Sequence, residues 1–192
     1  MTDQTLPEHP DLADVFRAWP QAVRPLLEYH DILLRGESPL SVGQRELIAA
    51  YVSGLNACGF CLGAHSIIAE AFDIPEARIT ALLEHPDSAG IDPAMATLLG
   101  FVRKLTLHPS HVTPADRQTV YDAGWSQRAL HDAVSVCALF NFMNRLVDGM
   151  GVETSPAIQA AQRQRHAPSD NPSAHPYMDY GHRIGAINGD NR

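Results

Sequence analysis

Two cysteines and a histidine at helical spacing form the part of this sequence that could carry redox chemistry. Cys58 and Cys61 are separated by two residues, and His65 follows Cys61 by four. Apolar residues recur at helical spacing from position 60 to position 72, so at roughly 100° per residue the three side chains fall within about 60° of one helix face. Two thiols beside an imidazole can form a thiolate, be oxidised and pair as a disulfide.

The residues just before the first cysteine predict that a new helix begins there. Gly54 and Asn56 interrupt the preceding helical pattern, which favours Cys58 and Gly59 as the start of the next helix. A thiol at that position lies at the positive end of the helix dipole, and two neighbouring sulfurs can share one negative charge. Both effects favour a thiolate.

The histidine is nearest to the second cysteine of the pair. One helical turn separates Cys61 from His65, which can take the thiol proton as a general base or stabilise the thiolate as an imidazolium. Cys61 is therefore the better candidate for the attacking thiol, with Cys58 as the thiol that resolves it. The opposite order, in which the more N-terminal cysteine attacks as in thioredoxin-type sites, remains open.

A glutamate upstream of the pair is a candidate for managing the proton. Glu46 lies beside an apolar run and twelve residues before Cys58, too far for contact along one continuous helix. A chain reversal between residues 53 and 56 would fold it back towards His65. We predict that Glu46 orients His65 or accepts its proton, directly or through water, as a half-buried carboxylate with a raised pKa.

The same residues also have purely structural interpretations. A Cys-x-x-Cys pair can be half of a zinc site, but a structural zinc ion takes four ligands, and the third cysteine, Cys137, stands alone in an apolar run. The two thiols could also be inert members of the core, and a lone glutamate beside an apolar helix often marks its solvent edge. We predict no metal ligand and no cofactor-binding residue.

The pattern Glu46…Cys58-x-x-Cys61-x-x-x-His65 resembles that of the alkylhydroperoxidase D-like (AhpD-like) branch of the carboxymuconolactone decarboxylase superfamily. A second block, formed by residues 105–116 and by the run ALFNFMNRLVDG at 138–149, resembles the peroxidase-related members of that branch. Together these similarities extend from residue 12 to residue 152.

This resemblance implies a fold, an activity and four residue roles. In the family, the glutamate, both cysteines and the histidine form the proton relay of a thiol peroxidase, and the second cysteine reacts with peroxide. Carried over residue by residue, the relay consists of Glu46, Cys58, Cys61 and His65. Some members carry a second histidine between the cysteines, where this chain has Phe60. The resemblance also implies a homo-oligomer, either a dimer or a larger assembly.

The function predicted from these residues is that of a thiol-dependent peroxidase, an oxidoreductase acting on small peroxides. Cys61 becomes a sulfenic acid, Cys58 condenses with it to a disulfide, and an external dithiol restores both thiols. The resemblance implies a lipoyl protein as one such reductant. A thiol–disulfide exchange or redox-sensing protein without peroxidase turnover is the second hypothesis, and a non-catalytic oligomeric binding protein is the third.

The composition limits the partners that this chain can have. Its 192 residues are 45% hydrophobic and 19% charged, which suits one well-buried core. A net charge of −8 with a single lysine, Lys104, argues against binding to nucleic acid. No window approaches about 18 consecutive apolar residues, and the first ten residues lack the apolar segment of a signal peptide. We therefore predict no membrane contact and a cytoplasmic location.

Helical patterns and cap residues predict an all-α bundle of about seven or eight helices. The last of them is apolar nearly all round and is the predicted central core helix, which makes Cys137 a packed residue. Near its end, a polar stripe lines the site or a subunit interface, or forms a surface network; it consists of Asn141, Asn144, Arg145 and Asp148. The helices are expected at residues 11–19, 21–34, 41–52, 58–72, 76–84, 93–107, 113–122 and 126–148.

The composition changes towards the C-terminus, after a predicted domain that comprises residues 1–165. Residues 166–192 are rich in Pro, Gly, Asn, Asp and His and show no apolar period. We predict that they form an extended arm packed on a neighbouring subunit. Its expected anchors are Tyr177, Met178, Tyr180, Ile184 and Ile187.

Overall fold

The computed structural model of the chain describes residues 5–85, 90–165 and 173–187. Within these ranges the protein is all-helical, which confirms the predicted fold class. None of the described helices is both long and apolar enough to cross a bilayer. The α-helices are α1 (Leu12–Ala18), α2 (Val23–Arg35), α3 (Val42–Leu55), α4 (Gly59–Glu70), α5 (Glu76–Glu84), α6 (Pro93–Leu107), α7 (Pro114–Asp122), α8 (Gln127–Gly149), α9 (Pro156–Arg165) and α10 (Pro176–Arg183).

Eight of these helices, α1 to α8, lie where the sequence predicts them. The described ranges contain ten α-helices, two more than predicted, and the additional ones are α9 and α10. α9 closes the predicted domain, and α10 lies in the predicted arm. Each begins with a proline, whose fixed φ suits the first helical turn. Proline lacks a backbone N–H, but this costs nothing there because the first N–H groups of a helix have no partner within the helix.

Side-chain caps fix where the helices of the site begin. At the start of α3, Ser41 Oγ accepts a hydrogen bond from the backbone N–H of Gln44, and the Gln44 side chain accepts one from the N–H of Ser41, at 3.1 and 2.9 Å. This is the predicted capping box, and such a cap stabilises a helix by about 1 kcal/mol. The cap also sets which residues of α3 face the core.

The helix α3 is the centre of the fold. Ten of its fourteen residues are buried, including Arg45 and Glu46, and it packs against α4, α6 and α8. The predicted core helix, α8, buries eleven residues, among them Cys137, whose sulfur lies 3.3 Å from the Thr106 hydroxyl. Polar side chains on a helix this deeply buried need hydrogen-bond partners. Those partners hold a charged group such as Glu46 in a fixed position on α3.

The C-terminal segment packs on α2 of the same chain. The two carboxylate oxygens of Asp31 accept the backbone N–H groups of Tyr177 and Met178, at 3.0 and 2.9 Å, and so cap the start of α10. All five predicted anchors pack against or belong to the core. Contact with a neighbouring subunit stays a prediction, as does the domain boundary after residue 165. Residues 166–172 and 188–192 of the predicted arm lie outside the described residues.

Candidate active site at the start of α4

A tight turn joins α3 to α4 and brings the predicted site residues together. Ala57 adopts a left-handed backbone conformation with φ of 57°, and the N–H of Cys58 donates to the carbonyl oxygen of Ser53 at 2.9 Å. Cys58 is the N-cap of α4, so the predicted start of a new helix is confirmed. α4 then packs along α3, which places His65 beside Glu46.

The glutamate and the histidine form a buried hydrogen-bonded pair. His65 Nδ1 lies 2.6 Å from Oε2 of Glu46, whose side chain is fully buried. The other carboxylate oxygen, Oε1, accepts a hydrogen bond from Nη1 of Arg35, also at 2.6 Å. Burial raises the pKa of Glu46, but the neighbouring His65 and Arg35 outweigh that effect and lower the pKa to about 2. Glu46 is therefore an ionised carboxylate at neutral pH.

The ionised state of Glu46 decides the tautomer of His65. A carboxylate only accepts hydrogen bonds, so Nδ1 must carry the proton, and the neutral ring has its lone pair on Nε2. The prediction of a half-buried carboxylate with a raised pKa is wrong, because the side chain is fully buried and the neighbouring His65 and Arg35 lower its pKa. Of the two roles predicted for Glu46, the geometry supports the orientation of His65, since a carboxylate with so low a pKa accepts protons poorly.

Arg35 is a site residue that the sequence did not indicate. It ends α2, and its guanidinium lies 5.7 Å from the ring centroid of Phe72 and 5.5 Å from that of Tyr177. The Tyr177 hydroxyl also donates to Oε1 of Glu46, at 3.5 Å. Burial lowers the pKa of Arg35, but the charge of Glu46 outweighs it, so the net shift is upward. A basic residue in the last turn of a helix is common because it stabilises the dipole, so its position gave no signal of a site.

The two thiols of the Cys-x-x-Cys pair are free and buried. Cys58 is 0% exposed and Cys61 is 4% exposed. The side chain and the backbone N–H of Cys61 donate hydrogen bonds to the Cys58 sulfur, and these lower the pKa of Cys58. The same side-chain hydrogen bond, together with burial, raises the pKa of Cys61. The hydrogen bonds between the two residues therefore favour a thiolate on Cys58, at the start of the helix, and a protonated thiol on Cys61.

Two residues of the polar stripe on α8 also contact the thiols. The buried side chain of Asn144 donates to Ser53 Oγ at 3.0 Å and hydrogen-bonds the Cys61 sulfur, which favours the thiolate there. Asp148 hydrogen-bonds Cys58, and its negative charge raises the pKa of that thiol. Arg145 instead binds back to Asn141 on its own helix. Of the alternatives left by the sequence, Asn144 and Asp148 line the site, and Asn141 joins Arg145 to Asn56 at the end of α3. A subunit interface stays a prediction.

The ring of His65 packs edge-on against Phe140, with ring centroids 4.4 Å apart. Among the described residues, its hydrogen bonding is confined to Glu46, so Nε2 has no partner and neither sulfur is hydrogen-bonded to the ring. In the same part of the chain, no three His, Cys, Asp or Glu side chains are placed to hold a metal ion. The arrangement thus offers an oriented imidazole with a free nitrogen, near two thiols and a fixed positive charge.

A second histidine, His30, adjoins the same residues. It is 3% exposed, and its ring centroid lies 5.0 Å from that of Tyr177 and 6.2 Å from that of Phe140. Its Nδ1 lies 2.7 Å from the carbonyl oxygen of Leu26, one turn earlier on α2. Burial lowers the pKa of His30 to about 4, and a charge on His65 acts in the same direction. His30 is therefore neutral at pH 7, and as a lone histidine in the sequence it carried no recognisable motif.

The neutral state of His30 predicts a loss of stability in mild acid. The unfolded chain binds a proton at this residue below about pH 6.5, whereas the folded protein does so only below about pH 4. The free energy of unfolding should therefore fall by about 3 kcal/mol between pH 7 and pH 4. Urea unfolding of wild type and His30→Phe at a series of pH values measures this term. An equally steep decline in both proteins would contradict the assignment.

Part of the chain matches a known protein family, and the fold is similar to that of solved structures. Residues 20–104, which contain Glu46, both site cysteines, His30 and His65, match the model of the carboxymuconolactone decarboxylase family. The fold is similar to the crystal structure of an uncharacterized peroxidase-related protein from Silicibacter sp. TM1040, with a TM-score of 0.71 and 24% identity over 77% of this chain and 78% of that chain.

A second solved structure has the same overall architecture. It is described as an alkylhydroperoxidase AhpD core, an uncharacterized peroxidase-related protein from Ralstonia eutropha JMP134. Its TM-score is 0.70 at 24% identity, and the match covers 78% of this chain and 80% of that chain. No curated protein sequence is significantly similar to this chain.

Proposed function

We propose that this protein is a thiol-dependent peroxidase. Residues 20–104 match the model of the carboxymuconolactone decarboxylase family, and the fold is similar to that of two peroxidase-related proteins, which supports the proposal. The observation that carries the proposal is the buried hydrogen bond of 2.6 Å between Glu46 and His65, close to two free thiols. A structural thiol pair has no need of an ionised carboxylate that fixes the tautomer of a neighbouring imidazole. An enzyme that moves a proton to and from sulfur does need one.

The first half of the reaction oxidises one thiol. His65 first takes the proton of Cys58 at Nε2, which leaves a Cys58 thiolate and an imidazolium. The Cys58 thiolate then takes the proton of Cys61 along the hydrogen bond between them, and the Cys61 thiolate attacks the terminal oxygen of the hydroperoxide. A sulfur–oxygen bond forms, the oxygen–oxygen bond breaks, and the leaving alkoxide takes a proton from Nε2 of the His65 imidazolium. The products are a sulfenic acid on Cys61 and an alcohol. Asn144, which hydrogen-bonds the Cys61 sulfur, stabilises the attacking thiolate.

The second half closes the disulfide. His65, now neutral, takes the proton of Cys58, whose sulfur attacks that of the sulfenic acid. The sulfur–sulfur bond forms, and hydroxide leaves as water with the proton from His65. Throughout, Glu46 remains ionised and offsets the imidazolium charge, while Arg35 keeps the carboxylate in place. An external dithiol then reduces the disulfide, and we propose a lipoyl protein as its source. We also propose that the protein is a homo-oligomer located in the cytoplasm.

Burial of the thiols indicates the size of the substrate. With Cys61 only 4% exposed, a small peroxide can reach the sulfur after a slight local opening, whereas a protein disulfide needs much more room. The structure therefore favours peroxide reduction over thiol–disulfide exchange with a folded partner protein. A slender dithiol arm, like a small peroxide, is narrow enough to reach the enzyme's own disulfide and reduce it.

A single-turnover measurement tests the proposal. The reduced protein, free of external thiols, is mixed with one equivalent of tert-butyl hydroperoxide. We expect one equivalent of tert-butyl alcohol, loss of two thiols and a Cys58–Cys61 disulfide on peptide mapping, with Cys137 still reduced. If the disulfide forms readily with a small disulfide reagent but not with the peroxide, the protein is a thiol–disulfide exchanger. If neither reagent oxidises the pair, the thiols are structural.

A further inference from the structure

The ring of His30 has a nitrogen whose hydrogen bonding is unfilled. The carbonyl oxygen of Leu26 can only accept, so Nδ1 of His30 is the donor and carries the proton. The neutral ring then presents a lone pair at Nε2. Among the described residues no group donates to that lone pair, although the side chain is 3% exposed. Of the described residues, the one fully buried side-chain atom without a partner is Gln162 Oε1, so Nε2 of His30 keeps some contact with solvent. A water or a small ligand can therefore supply the missing donor.

The surroundings place this acceptor at the proposed reaction site. A closed ring of contacts runs from His30 to Phe140 at 6.2 Å and from Phe140 to His65 at 4.4 Å, between ring centroids. It continues through the 2.6 Å bond from His65 to Glu46 and the 3.5 Å bond from Glu46 to the Tyr177 hydroxyl, and it returns to His30 by a 5.0 Å ring contact. Two imidazoles, each with an unpartnered Nε2, therefore belong to one cluster of side chains around Phe140.

We propose that Nε2 of His30 accepts a hydrogen bond from the hydroxyl group of a hydroperoxide bound beside His65. The inference rests on the proposed peroxidase function and adds a substrate-binding residue to it. The two histidines serve opposite ends of the oxygen–oxygen bond. His30 binds the O–H of the oxygen that sulfur attacks, and His65 gives its proton to the oxygen that leaves.

The chemistry requires no proton transfer to His30. When sulfur attacks, the hydrogen on the terminal oxygen stays there and becomes the hydrogen of the sulfenic acid, while the electron pair of the broken bond leaves on the alkoxide. His30 therefore has to remain an acceptor throughout the step. Its deep burial, which favours the neutral ring, and the nearby charge on His65 both keep it so. A charged His30 would lose the lone pair on which the binding depends.

The test uses a chain that binds peroxide but cannot react with it. Histidine ¹⁵N resonances are followed in the double variant Cys58→Ser/Cys61→Ser during titration with tert-butyl hydroperoxide. We expect the Nε2 resonance of His30 to shift with saturation. The matched probe, tert-butyl methyl ether, has a similar shape but no hydroxyl hydrogen and should leave that resonance in place. Absence of a His30 shift at any attainable peroxide concentration would overturn the proposal.

Two substitutions separate hydrogen bonding from packing. In the same serine background, His30→Phe keeps a planar ring but removes the acceptor, and it should weaken peroxide binding about tenfold. His30→Gln places an amide oxygen near the position of Nε2 and should retain most of the affinity. Equal affinity of the phenylalanine variant and its parent would overturn the proposal. Should that variant fail to fold, the resonance of the native His30 still decides.

The outcome is distinguishable from failure of the proposed function. If the wild-type protein fails to turn over tert-butyl hydroperoxide but the His30 resonance responds to it, the peroxidase is disproved and the hydroxyl-binding site stands. If wild type turns over the peroxide and the resonance stays fixed, the peroxidase stands without this role for His30. A rise in the KM for peroxide without a change in kcat in His30→Phe would support the proposal in the active enzyme.

Discussion

Replacement of Cys61 by serine is expected to abolish peroxide consumption. Serine keeps the shape of the side chain but cannot form a nucleophilic thiolate near neutral pH, so no sulfenic acid forms. Cys58→Ser should consume about one equivalent of peroxide and then stall as a sulfenic acid, because the resolving thiol is gone. Peroxide consumption under a dithiol reductant, followed by trapping of the sulfenic acid with dimedone, measures both outcomes.

The control for the cysteine variants is Cys137→Ser. This third thiol is buried on α8, where its sulfur contacts Thr106 and Asn141, and among the described residues it has no hydrogen bond to Cys58 or Cys61, so turnover should stay near the wild-type value. A reversed result, with Cys61→Ser consuming one equivalent and Cys58→Ser inactive, would assign the attack to Cys58. That cysteine has the lower pKa of the two, so the experiment also asks whether acidity or position beside His65 selects the nucleophile.

The substitution Glu46→Gln should affect both activity and stability strongly. The amide no longer fixes the tautomer of His65 or balances its charge, so turnover should fall about 10²–10⁴-fold. Arg35 is left as a buried cation without its counter-ion, which should lower the free energy of unfolding by about 3–5 kcal/mol. Steady-state kinetics and urea unfolding at pH 7 measure the two effects separately.

A double variant distinguishes loss of catalysis from loss of folding. Arg35→Met in the Glu46→Gln background removes the stranded cation and replaces it by an apolar chain of similar length. It should recover much of the stability, but it should recover no activity, because His65 still lacks its carboxylate partner. Recovery of activity together with stability would show that Glu46 matters for the fold alone and would remove it from the proton relay.

The acid stability of the folded protein follows from the same carboxylate. The pKa of Glu46 is lowered from 4.5 to about 2, so its contribution is present in full above about pH 4.5 and is lost as the pH falls towards 2. The His30 term is lost between about pH 6.5 and pH 4. The two groups therefore act over adjoining pH ranges, and because the charge of Glu46 raises the pKa of His30, the His30 term should be measured with Glu46 intact.

Local sequence signals predicted most of the fold and half of the site. The Ser41 and Gln44 side chains form a cap within three residues, and Cys58 begins a helix because Gly54 and Asn56 interrupt the one before it. Such signals act between neighbours in the chain, so they can be recognised without knowledge of tertiary structure. The all-α class, helices α1 to α8 and the nearness of Glu46 to His65 all followed from them.

The features that the sequence did not reveal depend on contacts between distant residues. Arg35 meets Glu46 only because α2 packs beside α3, and this contact reverses the direction in which the pKa of Glu46 shifts. His30 lies 35 positions before His65, and no spacing rule connects them. α9 and α10 are short and polar, so they lack the long apolar stripe by which a helix is recognised, and α10 is stabilised by Asp31 from another helix.

The cap that Asp31 provides for α10 joins residues 146 positions apart. Translation therefore produces α2, the thiols and His65 well before Tyr177, whose ring covers one face of the Arg35 guanidinium. Until α10 is synthesised and docks, the nascent polypeptide contains both thiols while water still has access to the ion pair of Arg35 and Glu46. The two thiols are thus synthesised before the electrostatic environment around them is complete.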